Sequence, residues 1–77
     1  MTVYFYTKID CPLCEKGLDK LQALQKESFF DIEIRDIYTN DEWLEEFQIR
    51  IPVVTTTEGT VLDEGIISYD ILKRKLL

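Results

Sequence analysis

The stretch TKIDCPLCEKG, residues 7–17, contains both cysteines of the 77-residue chain, Cys11 and Cys14. It is preceded by TVYFYT, residues 2–7, whose β-branched and aromatic side chains predict a buried strand. Apolar residues at helical spacing follow it, and Pro12 suits the first turn of a helix because its missing N–H is not needed there. The sequence therefore places the two thiols between a strand and the N-terminus of a helix of about four turns.

The middle of the chain predicts a second strand and a second helix. Residues 29–37 alternate apolar and charged side chains, which indicates a half-buried strand towards the edge of a sheet. TNDE, residues 39–42, has the spacing of a capping box with Thr39 as the N-cap, and a short helix should follow it. The residues expected to face the core here are Phe30, Ile32, Ile34, Trp43, Leu44 and Phe47.

The last third predicts a hairpin and a final helix. Residues 51–57 and 61–64 favour two strands joined by a turn at 57–60. Ser68 is a candidate cap for a helix that would bury Leu72 and Leu76. The order is β-α-β-α-β-β-α, in which the first two strands should pair in parallel around a right-handed crossover. We expect one α/β domain over residues 1–77, with a mixed four-stranded sheet flanked by helices.

Composition removes several classes of function. The net charge is −6, so no basic surface for nucleic acid or an anionic membrane is expected. The chain has no histidine, which excludes a Cys-His nucleophile pair and a mixed Cys/His zinc site within one chain. No apolar run is long enough to cross a membrane, and the first residues do not resemble a signal peptide. We expect a cytoplasmic monomer, in which two close cysteines are catalytic or metal-binding rather than a structural staple.

Three interpretations of the cysteine pair remain open on these residues alone: a redox couple, half of a metal site completed by a second chain, or two structural cysteines. In the redox interpretation Cys11 is the exposed, attacking thiolate and Cys14, one turn into the helix, is the shielded resolving thiol. The helix N-terminus should lower the pKa of Cys11 moderately from its ordinary value of about 8.5. Lys8 would add to this effect, and Asp10 would oppose it.

Two motifs carry a resemblance to a known family. YTKIDCPLC before a helix and RIPVV later in the chain, with a Gly-containing turn before the last helix, resemble the glutaredoxins. The resemblance is greatest to a short glutaredoxin-like branch marked by C-x-L-C and R-I-P-V. It implies the minimal thioredoxin fold, a nucleophilic Cys11 and a resolving Cys14, with no tightly bound cofactor. It also implies a small dithiol thiol–disulfide oxidoreductase.

The resemblance also implies a substrate-binding surface. Lys8 matches a lysine that glutaredoxins place three residues before the first cysteine, and Pro52 matches their cis-proline. In the family, the residue before that proline, here Ile51, offers its backbone N–H and C=O to an extended thiol substrate. Leu13, between the cysteines, is a candidate apolar docking point for a partner protein. The candidate substrate-binding residues are thus Lys8, Pro12, Leu13, Ile51 and Pro52.

Glutathione is a candidate co-substrate. Glutaredoxins usually carry a Gly-Gly pair before the last helix, whereas here Gly65 stands alone before two isoleucines. The candidate glutathione-binding residues are Arg50, Gly65, Ser68 and Asp70. The expected partners are a disulfide-containing protein or a glutathione mixed disulfide, with a thioredoxin reductase as a candidate reductant. The alternative function is a binding or metallocluster carrier module (iron–sulfur or zinc) that uses Cys11 in a dimer without redox turnover.

Overall fold

A computed structural model describes residues 1–77 and has the predicted order of strands and helices. The elements are β1 (Thr2–Thr7), α1 (Pro12–Glu27), β2 (Asp31–Asp36), α2 (Asp41–Phe47), β3 (Val53–Thr56), β4 (Val61–Glu64) and α3 (Tyr69–Leu76). A short 3-10 helix at Ile37–Thr39, which the sequence did not indicate, precedes α2. None of the helices combines the length and the apolar character needed to cross a membrane.

The four strands form one mixed sheet in the order β2-β1-β3-β4. β1 pairs in parallel with β2, so that Val3 lies opposite Ile32. β1 pairs antiparallel with β3, and β3 pairs antiparallel with β4 as the predicted hairpin. The parallel pairing around α1 and the edge position of β2 are therefore confirmed. This topology leads the chain directly from the end of β1, a central strand, into the cysteine segment.

The core lies on both faces of the sheet, because alternate strand residues point to opposite sides. On one side, α1 and α3 cover a cluster of nine buried residues. These residues are Val3, Phe5, Leu21, Leu24, Phe30, Val54, Leu62, Ile67 and Leu72. On the other side, α2 covers a smaller cluster made by Tyr6, Ile37, Phe47 and Val53. The cysteine segment begins α1 and is therefore attached to the larger cluster.

Two details of the predicted middle segment are wrong. Asn40, not Thr39, is the N-cap of α2, and its Oδ1 accepts hydrogen bonds from the N–H groups of Glu42 and Trp43. Thr39 instead ends the 3-10 helix, where its hydroxyl donates to the Asp36 carbonyl at 2.6 Å. Ile34 is 54% exposed rather than facing the core, although its strand alternates as predicted. It lies on the edge strand β2, where one flank of the sheet has no neighbouring strand.

The predicted bounds of two strands were too wide. β2 covers Asp31–Asp36 within the predicted 29–37, and β3 covers Val53–Thr56 within the predicted 51–57. At the start of β3, Pro52 has no N–H to give to a ladder, so regular pairing begins one residue later. The loop before β3 therefore stays outside the sheet and lies beside α1.

Candidate active site at the Cys11–Cys14 pair

Cys11 is the N-cap of α1. Its backbone is extended (φ −121°, ψ 99°), and its sulfur accepts a hydrogen bond from the backbone N–H of Cys14 at 3.2 Å. Pro12 occupies the first helical position, where an N–H would have no partner within the helix. The sulfur thus takes the place of the oxygen that caps most helices. Negative charge on this sulfur is favoured both by the hydrogen bond and by the helix dipole.

The two cysteines are joined as a disulfide in the structure. Their Cα atoms are 5.2 Å apart, a separation that an α-helical first turn provides without any change of backbone. Cys14 is 2% exposed and Cys11 is 9% exposed. Both residues are buried, and Cys11 is the one that a partner in solution reaches more easily. No group of three or more Cys, His, Asp or Glu side chains is placed to hold a metal ion.

The connection from β1 to the site turns at Asp10. Asp10 has a φ of +57° and is the only residue other than glycine with a positive φ. Aspartate is one of the few residues that adopts this left-handed conformation readily, and it reverses the chain just before Cys11. Lys8 and Ile9 are exposed in this connection, and the Lys8 ammonium donates no hydrogen bond within the chain. Lys8 is therefore an unpaired cation three residues before Cys11.

Gly17 brings two loops against the first turns of α1. A Cβ atom added to Gly17 would lie 2.8 Å from Cγ1 of Ile67 and 3.3 Å from Cγ of Pro52. Only a residue without a side chain allows this approach. The Pro52 carbonyl in turn accepts a hydrogen bond from the N–H of Gly65 at 2.8 Å. The loop before β3, the loop before α3 and the cysteine helix therefore meet within one helical turn of Cys14.

The Ile51–Pro52 peptide bond is cis. Pro52 is buried, whereas Ile51 is partly exposed. The backbone N–H of Ile51 donates to the Phe47 carbonyl at 3.0 Å, so it is already engaged within the chain. The family resemblance assigned both the N–H and the C=O of Ile51 to the substrate. The C=O accepts no hydrogen bond among the loop and cap hydrogen bonds of the chain, so it is the group that a substrate can use.

Arg50 is held by two carboxylates. Its Nε donates to Glu64 at 2.7 Å, and its Nη1 donates to Glu46 at 2.8 Å. The hydrogen bond to Glu64 is the main reason that the pKa of the Arg50 guanidinium is raised above its ordinary value. The suggested role of Arg50 as a clamp for a substrate carboxylate would require it to exchange one of these partners.

The loop before α3 is organised by a carboxylate that the sequence did not single out as structural. Asp63 accepts hydrogen bonds from the N–H of Ser68 at 2.7 Å and from the N–H of Glu64 at 2.9 Å. Ser68 caps α3 as predicted, because its hydroxyl accepts from the N–H of Ile71 at 3.3 Å. Gly65 turns the chain with a φ of +74°. Asp70 is exposed in the first turn of α3.

Three residues that support the site were not assigned to it from the sequence: Gly17, Lys20 and Ile67. Lys20 donates to the Ile67 carbonyl at 2.8 Å and ties the loop before α3 to α1. The sequence did contain an indication for Gly17, because a glycine on the apolar face of a helix often marks the close approach of another segment. Lys20 carried no such indication, since its partner is 47 residues away.

Comparison with known proteins identifies the family. A family model described as a glutaredoxin-like domain (DUF836) matches residues 2–77. The chain belongs to this glutaredoxin-like family. No curated protein matches the chain significantly.

Solved structures similar to this glutaredoxin-like chain share its architecture. Protein Ne2328 from Nitrosomonas europaea is 27% identical, with a TM-score of 0.82 over 96% of this chain and 88% of that one. Thioredoxin 1 from Thermosipho africanus TCF52B is 19% identical, with a TM-score of 0.64 over 99% and 94% of the two chains. A malarial protein is 17% identical, with a TM-score of 0.66 over 99% and 97%. The glutaredoxin-like chain therefore has the thioredoxin fold, as the sequence motifs implied.

Proposed function

We propose that this protein is a small dithiol thiol–disulfide oxidoreductase. The observation that carries the proposal is the position of the Cys11 sulfur, which caps α1 and lies within bonding distance of Cys14. A thiolate at a helix N-terminus with a second thiol one turn away is the arrangement that dithiol exchange requires. Membership of the glutaredoxin-like family supports the same chemistry.

The reaction begins with the reduced pair. The Cys11 thiolate attacks one sulfur of a substrate disulfide, and the other substrate sulfur leaves as a thiolate and takes a proton from water. Cys14 then loses its proton and attacks the Cys11 sulfur, which releases the second substrate thiol. The substrate gains two electrons, and the protein is left with the Cys11–Cys14 disulfide. A further cycle requires a dithiol, glutathione or a thioredoxin-type reductase to return two electrons.

The surrounding residues have separate roles in this proposal. Cys14 is almost fully buried, so it reacts with Cys11 rather than with solutes. Pro12 and Leu13, which lie between the cysteines in the sequence, are exposed and present an apolar surface, and the Ile51 carbonyl beside Pro52 is a hydrogen-bond acceptor for an extended substrate. Lys8 adds positive charge beside the reacting sulfur. The proposal places the protein in a reducing compartment such as the cytoplasm, because turnover requires the disulfide to be reduced again.

The test uses purified protein that has been reduced and freed of reductant. We expect oxidised glutathione or hydroxyethyl disulfide to convert it to a species lighter by two hydrogens, as read by intact mass. Cys14→Ser should accumulate a mixed disulfide on Cys11, because the resolving thiol is absent. Cys11→Ser should form no adduct, since Cys14 is buried. Full disulfide-reducing activity in Cys11→Ser, or an inert wild type, would contradict the proposal.

A metal assay of the same preparation addresses the cluster-carrier alternative. Protein purified without oxygen is analysed for iron and zinc and by ultraviolet–visible spectroscopy. Stoichiometric metal bound through Cys11, combined with no disulfide exchange, would replace the redox proposal with the carrier function. Exchange by a metal-free, colourless protein is the outcome we expect.

A further inference from the structure

Three exposed aliphatic residues lie in the segments that adjoin the cysteine pair. Ile9 and Leu13 flank Cys11 at two residues on either side, and they are 77% and 47% exposed. Ile66, which is 77% exposed, precedes the residue that packs on Gly17, one turn beyond Cys14. We call Ile9, Leu13 and Ile66 the dithiol rim. Exposed aliphatic residues grouped around a reactive centre indicate a surface that is covered when a partner binds.

The site is an open surface rather than a cavity. The two surface depressions of the molecule, of about 470 and 300 Å³, lie elsewhere. The larger is lined by Met1, Phe29 and their neighbours, and the smaller by Ile71, Arg74 and Lys75. Neither includes a cysteine or a residue of the dithiol rim. A small molecule would therefore gain little burial at the cysteine pair, whereas a polypeptide segment can lie across the rim.

The elements that adjoin the rim carry a net negative charge. Six carboxylates accompany four cations there, so this group has a net charge of −2; the residues are Asp10, Glu15, Glu46, Asp63, Glu64 and Asp70 against Lys8, Lys16, Lys20 and Arg50. Arg50 is already paired with two of the carboxylates. The whole chain is also acidic, with a net charge of −6. The field near Ile66 therefore favours a cationic ligand over an anionic one.

Two groups that could bind an anion are occupied. The N-terminus of a helix attracts anions, but at α3 the N–H of the N-cap Ser68 already donates to the Asp63 carboxylate, and the N–H of Ile71 donates to the Ser68 hydroxyl. The guanidinium of Arg50 donates to Glu64 and to Glu46. A glutathione carboxylate would have to displace one of these internal carboxylates. Its binding would therefore be weakened both by competition and by like-charge repulsion.

We infer that the dithiol rim selects polypeptide disulfides with apolar side chains next to the reacting cysteine and positive charge nearby. Anionic glutathione disulfide is a poor substrate by the same selection. This inference rests on the proposed dithiol exchange and names its substrate class. The reduced protein transfers two electrons to the peptide disulfide, two thiols are released, and the Cys11–Cys14 disulfide forms, so one turnover needs no added reductant.

The test measures single-turnover oxidation of the reduced protein by matched substrates. Three peptides of equal length are each joined to 2-mercaptoethanol through one cysteine: one with Val and Leu beside the cysteine and two Lys, one with Val and Leu and two Glu, and one with Ser on both sides and two Lys. Hydroxyethyl disulfide and oxidised glutathione complete the set. Each rate is divided by the rate with which dithiothreitol reduces the same substrate, which removes differences in intrinsic reactivity.

The expected order follows from charge and apolar contact. The Val/Leu peptide with Lys should exceed the one with Glu by about tenfold at low ionic strength, and the ratio should fall as salt screens the field. The Val/Leu peptide with Lys should also exceed the Ser-flanked one by about fivefold, because only the former covers the rim. Oxidised glutathione should be slower than hydroxyethyl disulfide after the same normalisation.

Matched variants assign these preferences to the rim and to its neighbouring charge. Ile66→Ser should lower the preference for Val/Leu over Ser flanks by about threefold. Phe29→Ser removes a still more exposed apolar side chain away from the cysteines and should leave the preference unchanged. Glu64→Gln should lower the preference for Lys over Glu by about twofold. Glu58→Gln makes the same charge change in the distant hairpin turn and should leave that preference unchanged.

The outcomes separate the two proposals. If hydroxyethyl disulfide and all the peptides fail to oxidise the protein, the dithiol function itself is wrong. If hydroxyethyl disulfide reacts but the peptides show no preference, or glutathione disulfide is the fastest substrate, the function stands and the inference on substrate class is overturned. Equal effects of Ile66→Ser and Phe29→Ser would also overturn it, because the rim would then have no special part.

Discussion

The two faces of the sheet bury different kinds of side chain. Under α1 and α3 the cluster is mainly aliphatic, with five of its nine members fully buried: Val3, Leu21, Leu24, Val54 and Leu72. Under α2 half of the buried cluster is aromatic, namely Tyr6 and Phe47. Beside this cluster, the guanidinium of Arg35 lies 3.4 Å from the centroid of the Tyr4 ring and 4.7 Å from that of Trp43. The first face is therefore a hydrocarbon core, and the second, which we call the aromatic side, combines aromatic rings with one cation.

The difference shows which face holds the cysteine pair in position. Two contacts, Gly17 with Ile67 and Lys20 with the Ile67 carbonyl, join α1 to the loop before α3, and Ile67 belongs to the aliphatic cluster. The aromatic side reaches the loop before β3 through the N–H groups of Arg50 and Ile51, which donate to the Phe47 carbonyl, and through the Arg50–Glu46 ion pair, and none of these contacts touches α1. We therefore expect changes under α1 and α3 to affect both stability and disulfide exchange, and changes under α2 to affect mainly stability.

The largest effect is expected from Leu24→Ala. Leu24 is fully buried in the nine-residue cluster, and its truncation should lower the free energy of unfolding by about 2–5 kcal/mol. Leu44→Ala makes the same chemical change under α2 at a partly buried position and should cost about 1 kcal/mol. Urea denaturation of the two oxidised variants provides the comparison. Equal losses would show that the two faces contribute alike.

A second variant tests the close approach at Gly17. In Gly17→Ala the new Cβ would lie 2.8 Å from Cγ1 of the buried Ile67. This overpacking should lower the free energy of unfolding by about 1–3 kcal/mol. The higher helix propensity of alanine should offset about 1 kcal/mol of that loss. The loop that contains Ile66 should shift with Ile67, so single-turnover exchange with peptide disulfides should also slow.

The control for this variant is a double-mutant cycle with Ile67→Ala. Removing the side chain that the new Cβ meets should make the double variant more stable than the sum of the single losses, by about 1 kcal/mol or more. Strict additivity would mean that the strain at position 17 arises elsewhere. The same cycle, measured on exchange rates, shows whether the loop position or the global stability sets reactivity.

The local parts of the fold were predictable from the sequence. The strand, the turn and the helix around Cys11 each follow from neighbouring residues, because β-branched residues, Pro12 and a helical period act over short distances. Ser68 was identified as a cap for the same reason. Thr39 was not the cap of α2, because Asp36 accepts from the Tyr38 N–H and draws residues 37–39 into a 3-10 helix, which moves the cap to Asn40.

The supporting contacts of the site were not predictable, because they join distant parts of the chain. Glu46 is four residues before Arg50, a spacing that the sequence alone suggests as an ion pair. Glu64 is fourteen residues after it, and only the β3–β4 hairpin brings it to the same guanidinium. A sequence therefore indicates that Arg50 is a candidate carboxylate-binding residue, but not that internal carboxylates have already engaged it.

The smallest effect is expected on the aromatic face, from Arg35→Met. Arg35 donates to the Tyr6 hydroxyl at 3.1 Å and to Glu33 at 2.5 Å, and its side chain is 20% exposed. Methionine retains the apolar stem but loses the charge over the rings and leaves the Tyr6 hydroxyl without this donor, so a loss of about 1 kcal/mol is expected. Arg35→Lys keeps a cation but loses the planar stacking, and it should be intermediate.

Two measurements on Arg35→Met decide whether the faces are separable. The emission of Trp43 should change, because the guanidinium over its ring is gone, and urea denaturation should show the modest loss of stability. Single-turnover exchange with the Val/Leu–Lys peptide should stay at the wild-type rate, since no contact of Arg35 reaches the loops around the cysteines. The opposite result is that exchange slows in Arg35→Met as much as it does in Gly17→Ala. The position of the cysteine pair would then depend on both faces of the sheet, and the distinction between the two faces would not hold.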